Sequence, residues 1–279
     1  MSEIQQARNA ASVDVLAIGA HPDDVEWGCG GLLAGLAEAG QRVAILILTR
    51  GEAGTRGNAE QRARESAAGA ACLGVHCLDI LDCGDGALRA GEEQEEQVMF
   101  FLRHLRPQVV LAPPLQDRHP DHERAGALVR SSFFYSGLVK RVARDPEGRE
   151  VDGQALAPHR PERLLHYMLH DPFDPDVIVD CSSVWRKKIK ALAAHRSQFP
   201  EARDSGAEGA HGSSAAPGVA VGDAESATWI SKRSFWDAIE GRARHYGQRI
   251  GVEFAEPLST GAPLGVNAGQ FCNLFLDPS

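Results

Sequence analysis

Two short stretches of this chain hold residue types that can do chemistry together, His21-Pro22-Asp23-Asp24 and Asp117-Arg118-His119-Pro120-Asp121-His122. The first supplies an imidazole and two adjacent carboxylates. The second supplies two more imidazoles, His119 and His122, spaced i, i+3 around a carboxylate. Burying His21, Asp23 and Asp24 together is costly unless a positive charge offsets them, and a divalent metal is the expected cation. Two or three imidazoles with one carboxylate can hold zinc and leave a position open for water. Spacing alone leaves open whether Asp23 or Asp24 is the ligand. On residue type alone, His-Pro-Asp-Asp is more often a capped turn. The joint occurrence of two such stretches, each after a buried strand, is what points to a site.

The elements that must position these residues can be read from apolar patterning. Strands are predicted at Val13 to Gly19, Val43 to Leu48, Val75 to Leu81 and Val109 to Ala112. Their continuous aliphatic character fits strands covered on both faces. Between them the pattern predicts helices at Leu32 to Ala39, stopped by Gly40, from the capping residue Asn58 to Gly74, and at Glu92 to Leu105. Pro120 suits the first position of a further helix, which places His119 and His122 at a helix start. Strand–helix alternation of this kind argues for a parallel sheet with right-handed crossovers, and ligands bind outside the carboxyl ends of such strands.

The second half is less regular. Asp145 to Arg163 reads as a long loop, Leu164 to Leu169 and Val177 to Val179 as strands, and Ser183 to Ser197 as a basic helix. Residues 200–227 are rich in Gly, Ala and Ser without an apolar period, and are expected to form a mobile loop. Lys232 to Tyr246 is predicted helical, interrupted by Gly241 and ended by Gly247. The tail from Ser259 has no assignable element. The expected fold class is therefore α/β, a Rossmann-like, mostly parallel sheet with helices on both faces, in a single domain over 13–279. Residues 1–12 are expected to be a flexible N-terminus.

With 29 basic against 38 acidic residues among 279, the net charge of −9 argues against nucleic acid or an anionic membrane as a partner. The six cysteines show no Cys-x-x-Cys spacing, as expected for reduced thiols in a cytoplasmic protein. The first twelve residues lack the apolar core of a signal peptide, and no apolar run is long enough to span a bilayer. Two other classes compete. Two histidines and a carboxylate also make the facial triad of a non-haem iron oxygenase. Gly28-Cys29-Gly30-Gly31 after a strand suggests a nucleotide-binding module, but the full fingerprint needs glycine at 33, where the chain has Leu33.

The chain resembles the PIG-L/LmbE-like zinc-dependent N-deacetylases of N-acetylglucosamine derivatives. The resemblance runs from Val13 to Pro257, apart from the 200–227 stretch, and is carried by Ala-His-Pro-Asp-Asp-Val-Glu at 20–26, Gly-Glu-Ala-Gly-Thr-Arg-Gly at 51–57 and Asp-Arg-His-Pro-Asp-His at 117–122. Weaker matches come in order at 134–137, 158–160, 197–199 and 251–256. It implies one Zn2+ held by His21, Asp24 and His122, with Asp23 as general base. It further implies a protonated His119 that steadies the oxyanion, with Asp121 orienting it and holding it cationic. Arg62, Arg160 and Arg56 are implied near an amino-sugar substrate; for Arg62 a helix-surface pair with Glu65 competes. Within the family the likeness extends to the bacillithiol-biosynthesis deacetylases of N-acetylglucosaminyl-malate, whose carboxylates such arginines would meet. Deacetylases of inositol glycosides or chitin oligomers are the neighbouring readings, and a homo-oligomer is the expected assembly. One departure stands out, because the register of a family tyrosine that contacts the oxyanion falls on Phe235, which cannot donate a hydrogen bond.

Overall fold

A computed structural model describes residues 5–7, 10–151, 156–200, 228–261, 263, 265–267 and 269. The strands are β1 (Gln5–Gln6), β2 (Val15–Gly19), β3 (Val43–Ile47), β4 (Cys77–Ile80), β5 (Val109–Ala112), β6 (Ala143–Arg144), β7 (Glu150–Val151), β8 (Arg163–Tyr167), β9 (Val177–Asp180) and β10 (Ala255–Ser259). The helices are α1 (Asp24–Glu38), α2 (Ala59–Leu73), α3 (Glu92–Leu105), α4 (Pro120–Tyr135), α5 (Trp185–Ala193) and α6 (Arg233–Ile250). Eight strands form one sheet in the order β1-β4-β3-β2-β5-β8-β10-β9, parallel except for β10, which runs antiparallel to both neighbours. The expected Rossmann-like α/β fold in one domain is what the structure has.

From β2 the chain adds strands β3 and β4 on one side, then crosses to β5 and β8 on the other. The strand order therefore reverses between β2 and β5, where adjacent crossovers leave opposite faces and open a crevice. Both histidine stretches come directly after these two strands. The period of two sends Val15 and Ala17 into a core with α1, α2, α5 and α6, and Leu16 and Ile18 into a second core under α3 and α4. Among the described residues no helix is long and apolar enough to cross a membrane.

Several boundaries differ from the sequence reading. Helix α1 begins at Asp24 rather than Leu32, so Gly28 to Gly31 lie inside it. Helix α6 runs through Gly241 and Gly247 to Ile250, and ends where Gly251 takes the left-handed conformation (φ 78°) that favours glycine. Gly247 is needed for contact, because a Cβ there would come within 2.6 Å of the Val252 carbonyl oxygen. The 145–163 stretch contributes β7, which pairs with β6. Strand β10 was not foreseen. The 1–12 stretch, expected to be flexible, pairs Gln5–Gln6 with β4 and buries Ala7 and Ala10 in the core. The loop expected at 200–227 lies outside the described residues from 201 onward, as does most of the tail beyond 261.

Candidate active site

The turn after β2 is built under strain. Asp23 has φ 107°, a left-handed conformation that costs a non-glycine residue about 1–3 kcal/mol. The turn is pinned from just beyond β3, where the Thr49 hydroxyl and N–H both donate to the Ala20 carbonyl at 2.9 and 3.0 Å. The His21 N–H donates to Asp24 Oδ2 at 2.8 Å, and the Asp23 carbonyl accepts from Trp27 N at 2.9 Å to start α1. This geometry turns the two neighbouring carboxylates in different directions. The second half of the site forms at the expected helix start. Pro120 opens α4 and His119 caps it, its Nδ1 accepting from the Asp121 N–H at 3.2 Å. One turn on, His122 faces the β2 turn.

The Asp24 carboxylate bridges the two halves. Its Oδ1 lies 3.2 Å from His122 Nε2, and its Oδ2 lies 3.6 Å from His21 Nδ1. The other nitrogen of each imidazole meets a different carboxylate, His122 Nδ1 at 3.1 Å from Asp117 and His21 Nε2 at 3.2 Å from Asp85. Imidazoles that ligate metals usually keep their second N–H on a carboxylate, which fixes the tautomer and aims the lone pair inward. The approach of His21 Nε2 to Asp85 is an ion-pair contact without hydrogen-bond geometry, so on this ring the pattern is met in distance alone. His21, His119 and His122 can place ligand atoms within 4.8 Å of one another. The donor set fits a divalent ion such as zinc.

Electrostatics agree with that fit. Burial pushes both imidazoles down, yet carboxylates override it. Asp121, Asp24 and Asp85 hold His21 well above its ordinary value, and Asp24 with Asp117 raises His122 to about 9. Burial would raise Asp24, but His122 and His21 bring it well below the carboxylate range. The cluster thus keeps protons that a bound cation would displace. Asp23 differs from its neighbour. Burial raises it to about 6 against the opposing pull of Arg62 and His195, which suits a group that must take a proton near neutral pH.

His21, Asp23, Asp24 and His122 come together as expected, and with His119 they line a cavity of about 400 Å3. The other expected site residues are placed differently from the sequence reading. Burial, and then the His21 and His122 charges, lower His119 from its ordinary value, and its Nδ1 accepts from the Asp121 N–H, which leaves Nε2 as the nitrogen that carries the ring proton when the imidazole is neutral. The Asp121 carboxylate does not orient His119; it accepts from Gly86 N at 2.6 Å and Arg124 Nη1 at 3.1 Å and lies 3.5 Å from His21 Nε2. Arg62 lines the cavity, as expected of a residue near the substrate, but it is buried, does not pair with Glu65 and has its fork on protein groups. Its Nη1 donates to Gly51 O at 3.0 Å, and its Nη2 to Pro22 O at 2.8 Å and Asp23 Oδ2 at 3.4 Å. Arg160 is outside the cavity, exposed and stacked 4.4 Å over Phe134, and Arg56 is tied to Ser197 O at 2.7 Å. Phe235 is a core residue packed on Trp27 and Phe199.

The structure gives roles to residues that the sequence pattern left without one. Asp117 anchors three segments, accepting on Oδ1 from His119 N (2.9 Å) and on Oδ2 from His170 N (2.8 Å), besides its contact with His122. His170 comes after β8, stacks 5.5 Å from His122 and lines the cavity. His195 and Glu26 are fully buried and pair at 3.2 Å behind Asp23. His170 had one available signal, its place just after a predicted strand. His195 had none.

The family model described as GlcNAc-PI de-N-acetylase, PIG-L, matches residues 16–133. Diacetylchitobiose deacetylase of Thermococcus kodakarensis is 34% identical over 198 residues, covering 67% of this chain and 70% of that protein. A probable N-acetyl-alpha-D-glucosaminyl L-malate deacetylase 2 of Bacillus cereus is 25% identical over 236 residues, covering 80% and 96%. The crystal structure of a conserved protein from Thermus thermophilus superposes with a TM-score of 0.73 at 32% identity, covering 92% of this chain and 98% of that one.

Proposed function

Since the chain belongs to the PIG-L family and is a hydrolytic N-deacetylase, we propose that it removes the acetyl group from the acetamide of an N-acetylglucosamine conjugate, with zinc held by His21, Asp24 and His122. The observation that carries this reading is the Asp24 carboxylate lying between two imidazoles whose far nitrogens meet carboxylates, with a second, differently aimed carboxylate at Asp23. A divalent ion bound there acidifies water and polarises a carbonyl. Asp23 takes the proton of the attacking water. Arg62 holds that carboxylate in place from behind and keeps it ionised. His119, neutral, donates from Nε2 to the developing oxyanion. Protonated Asp23 then returns its proton to the departing amine.

For the group attached to the sugar, two readings have support. The committed Arg62 and the remote Arg160 leave neither of these expected arginines for a dicarboxylate, which favours an uncharged arm such as a second amino sugar. That agrees with the 34% identical relative named for diacetylchitobiose. The malate conjugate of bacillithiol biosynthesis is the second reading, supported by the relative that spans nearly its whole length. An amine-release assay over N-acetylglucosamine, diacetylchitobiose and the malate and inositol conjugates, with and without chelator, tests both. Chelator-sensitive release from diacetylchitobiose above the others is expected. Preference for the malate conjugate would overturn the uncharged arm, and no release from any of the four would overturn the reading as a whole.

A further inference from the structure

The Gly28-Cys29-Gly30-Gly31 stretch has no phosphate to cradle, because it lies within α1 and packs on protein. A regular helix would join the Gly31 N–H to the Trp27 carbonyl and the Leu32 N–H to that of Gly28. Here Cys29 leaves the helical region (φ −142°, ψ 20°), and two side chains from distant elements enter the break. Glu256, on β10, accepts from Gly31 N at 2.8 Å and Leu32 N at 2.7 Å. Lys188, on α5, donates to the Trp27 carbonyl at 2.7 Å and closes on Glu256 at 2.5 Å. Both side chains are almost completely buried. The glycines make room. A Cβ at Gly31 would come within 2.6 Å of Cys181 and 3.0 Å of Glu256 Oε1, and one at Gly28 would overlap the Tyr167 ring.

The break isolates one helical turn, residues 24–28, between strained Asp23 and Cys29. That turn carries Asp24. We infer that Lys188 and Glu256 are positioning residues: by satisfying the groups exposed at the break they keep α1 split, and so hold the Asp24 carboxylate against His21 and His122. Without them, Gly31 N–H and the Trp27 carbonyl are left to bond each other. The turn then winds into the rest of α1 and swings Asp24 away from His122. The inference rests on Asp24 being a metal ligand, as proposed above.

The test uses the whole chain stripped of metal, with Co2+ as the probe. Lys188→Leu/Glu256→Leu removes both charges together, which buried pairs often tolerate. The Co2+ dissociation constant should rise by about tenfold or more, the usual scale for groups that orient ligands, and the visible absorption of bound Co2+ should change shape. Val98→Ala, in the core on the opposite face, should lower the melting temperature and leave both readouts unchanged. If the double variant does not fold, Glu256→Gln is read in the same way. A folded variant with wild-type Co2+ affinity and spectrum overturns the inference. A wild-type chain that fails to bind Co2+ refutes instead the assignment of Asp24 as a ligand.

Discussion

Replacing Asp117 with asparagine removes one charge without changing shape, and the contacts of its two oxygens set the consequences. Oδ1 accepts from His119 N at 2.9 Å and His122 Nδ1 at 3.1 Å, while Oδ2 accepts from His170 N at 2.8 Å and Asp171 N at 3.3 Å. An amide has one accepting side. If its oxygen faces His122, the N–H groups of His170 and Asp171 meet another donor. If its nitrogen faces His122, the His119 N–H loses its acceptor and the His122 ring must accept at Nδ1. Its proton then moves to Nε2, the nitrogen that faces Asp24. Either orientation orphans at least one buried donor, at about 1–3 kcal/mol. At about 2–4 °C per kcal/mol, a scale drawn from slightly smaller domains, the melting temperature should fall by roughly 2–12 °C. Loss of a partner that fixes a ligating imidazole should also weaken metal binding by about 10–100-fold. Competition of Zn2+ between the apoprotein and a chromophoric chelator measures the second effect, and thermal unfolding the first. Zn2+ affinity within about twofold of wild type beside a lowered melting temperature would make Asp117 a structural clamp, and would refute its role in setting the His122 tautomer.

Asp23→Ala should keep the metal and cut turnover by about 10²–10⁴, the range of a general base; metal analysis showing an empty variant would mean that base and ligand are exchanged between Asp23 and Asp24. His119→Ala should reduce kcat by about 10²–10³ with metal content unchanged, as for one lost oxyanion donor, and a lowered metal content would make it a ligand instead. His195→Phe leaves the Glu26 carboxylate buried without its partner, so denaturant unfolding should register a loss of about 3–5 kcal/mol. A change under about 1 kcal/mol would mean that the His195–Glu26 contact adds nothing to stability.

Much of the frame was legible because its signals are local. Val43–Ile47 and Val109–Ala112 are continuous aliphatic runs, and Glu92–Leu105 has an apolar stripe with acids at its start and bases at its end. The Asn58 cap is a contact over three residues, its side chain accepting from Gln61 N at 2.8 Å. What misled was glycine. At Gly28 and Gly31 low helix propensity spoke against a helix, yet close contacts with Tyr167 and Cys181 and the entry of Glu256 demand the absence of a side chain. At Gly247 the same confusion ended α6 four residues early.

For the site, His21, Asp23, Asp24, His119 and His122 could be named from type, spacing and place after a strand, since a strand's carboxyl end and a helix start are local features. Their partners could not. Asp117 meets His170 across 53 residues, Glu65 takes Ser197 across 132, and Arg62 reaches Asp23 across 39. Whether an arginine offers its fork to substrate or spends it on backbone carbonyls depends on which loops surround it, and no pattern along the chain records that. The sequence by itself determined an α/β sheet with a metal-type donor set at two strand ends. Only the tertiary structure decided which nitrogen of each histidine meets which carboxylate, which of the two adjacent carboxylates is pushed up toward neutral pH, and which arginines are already committed, because these depend on burial and on charges brought close by the fold.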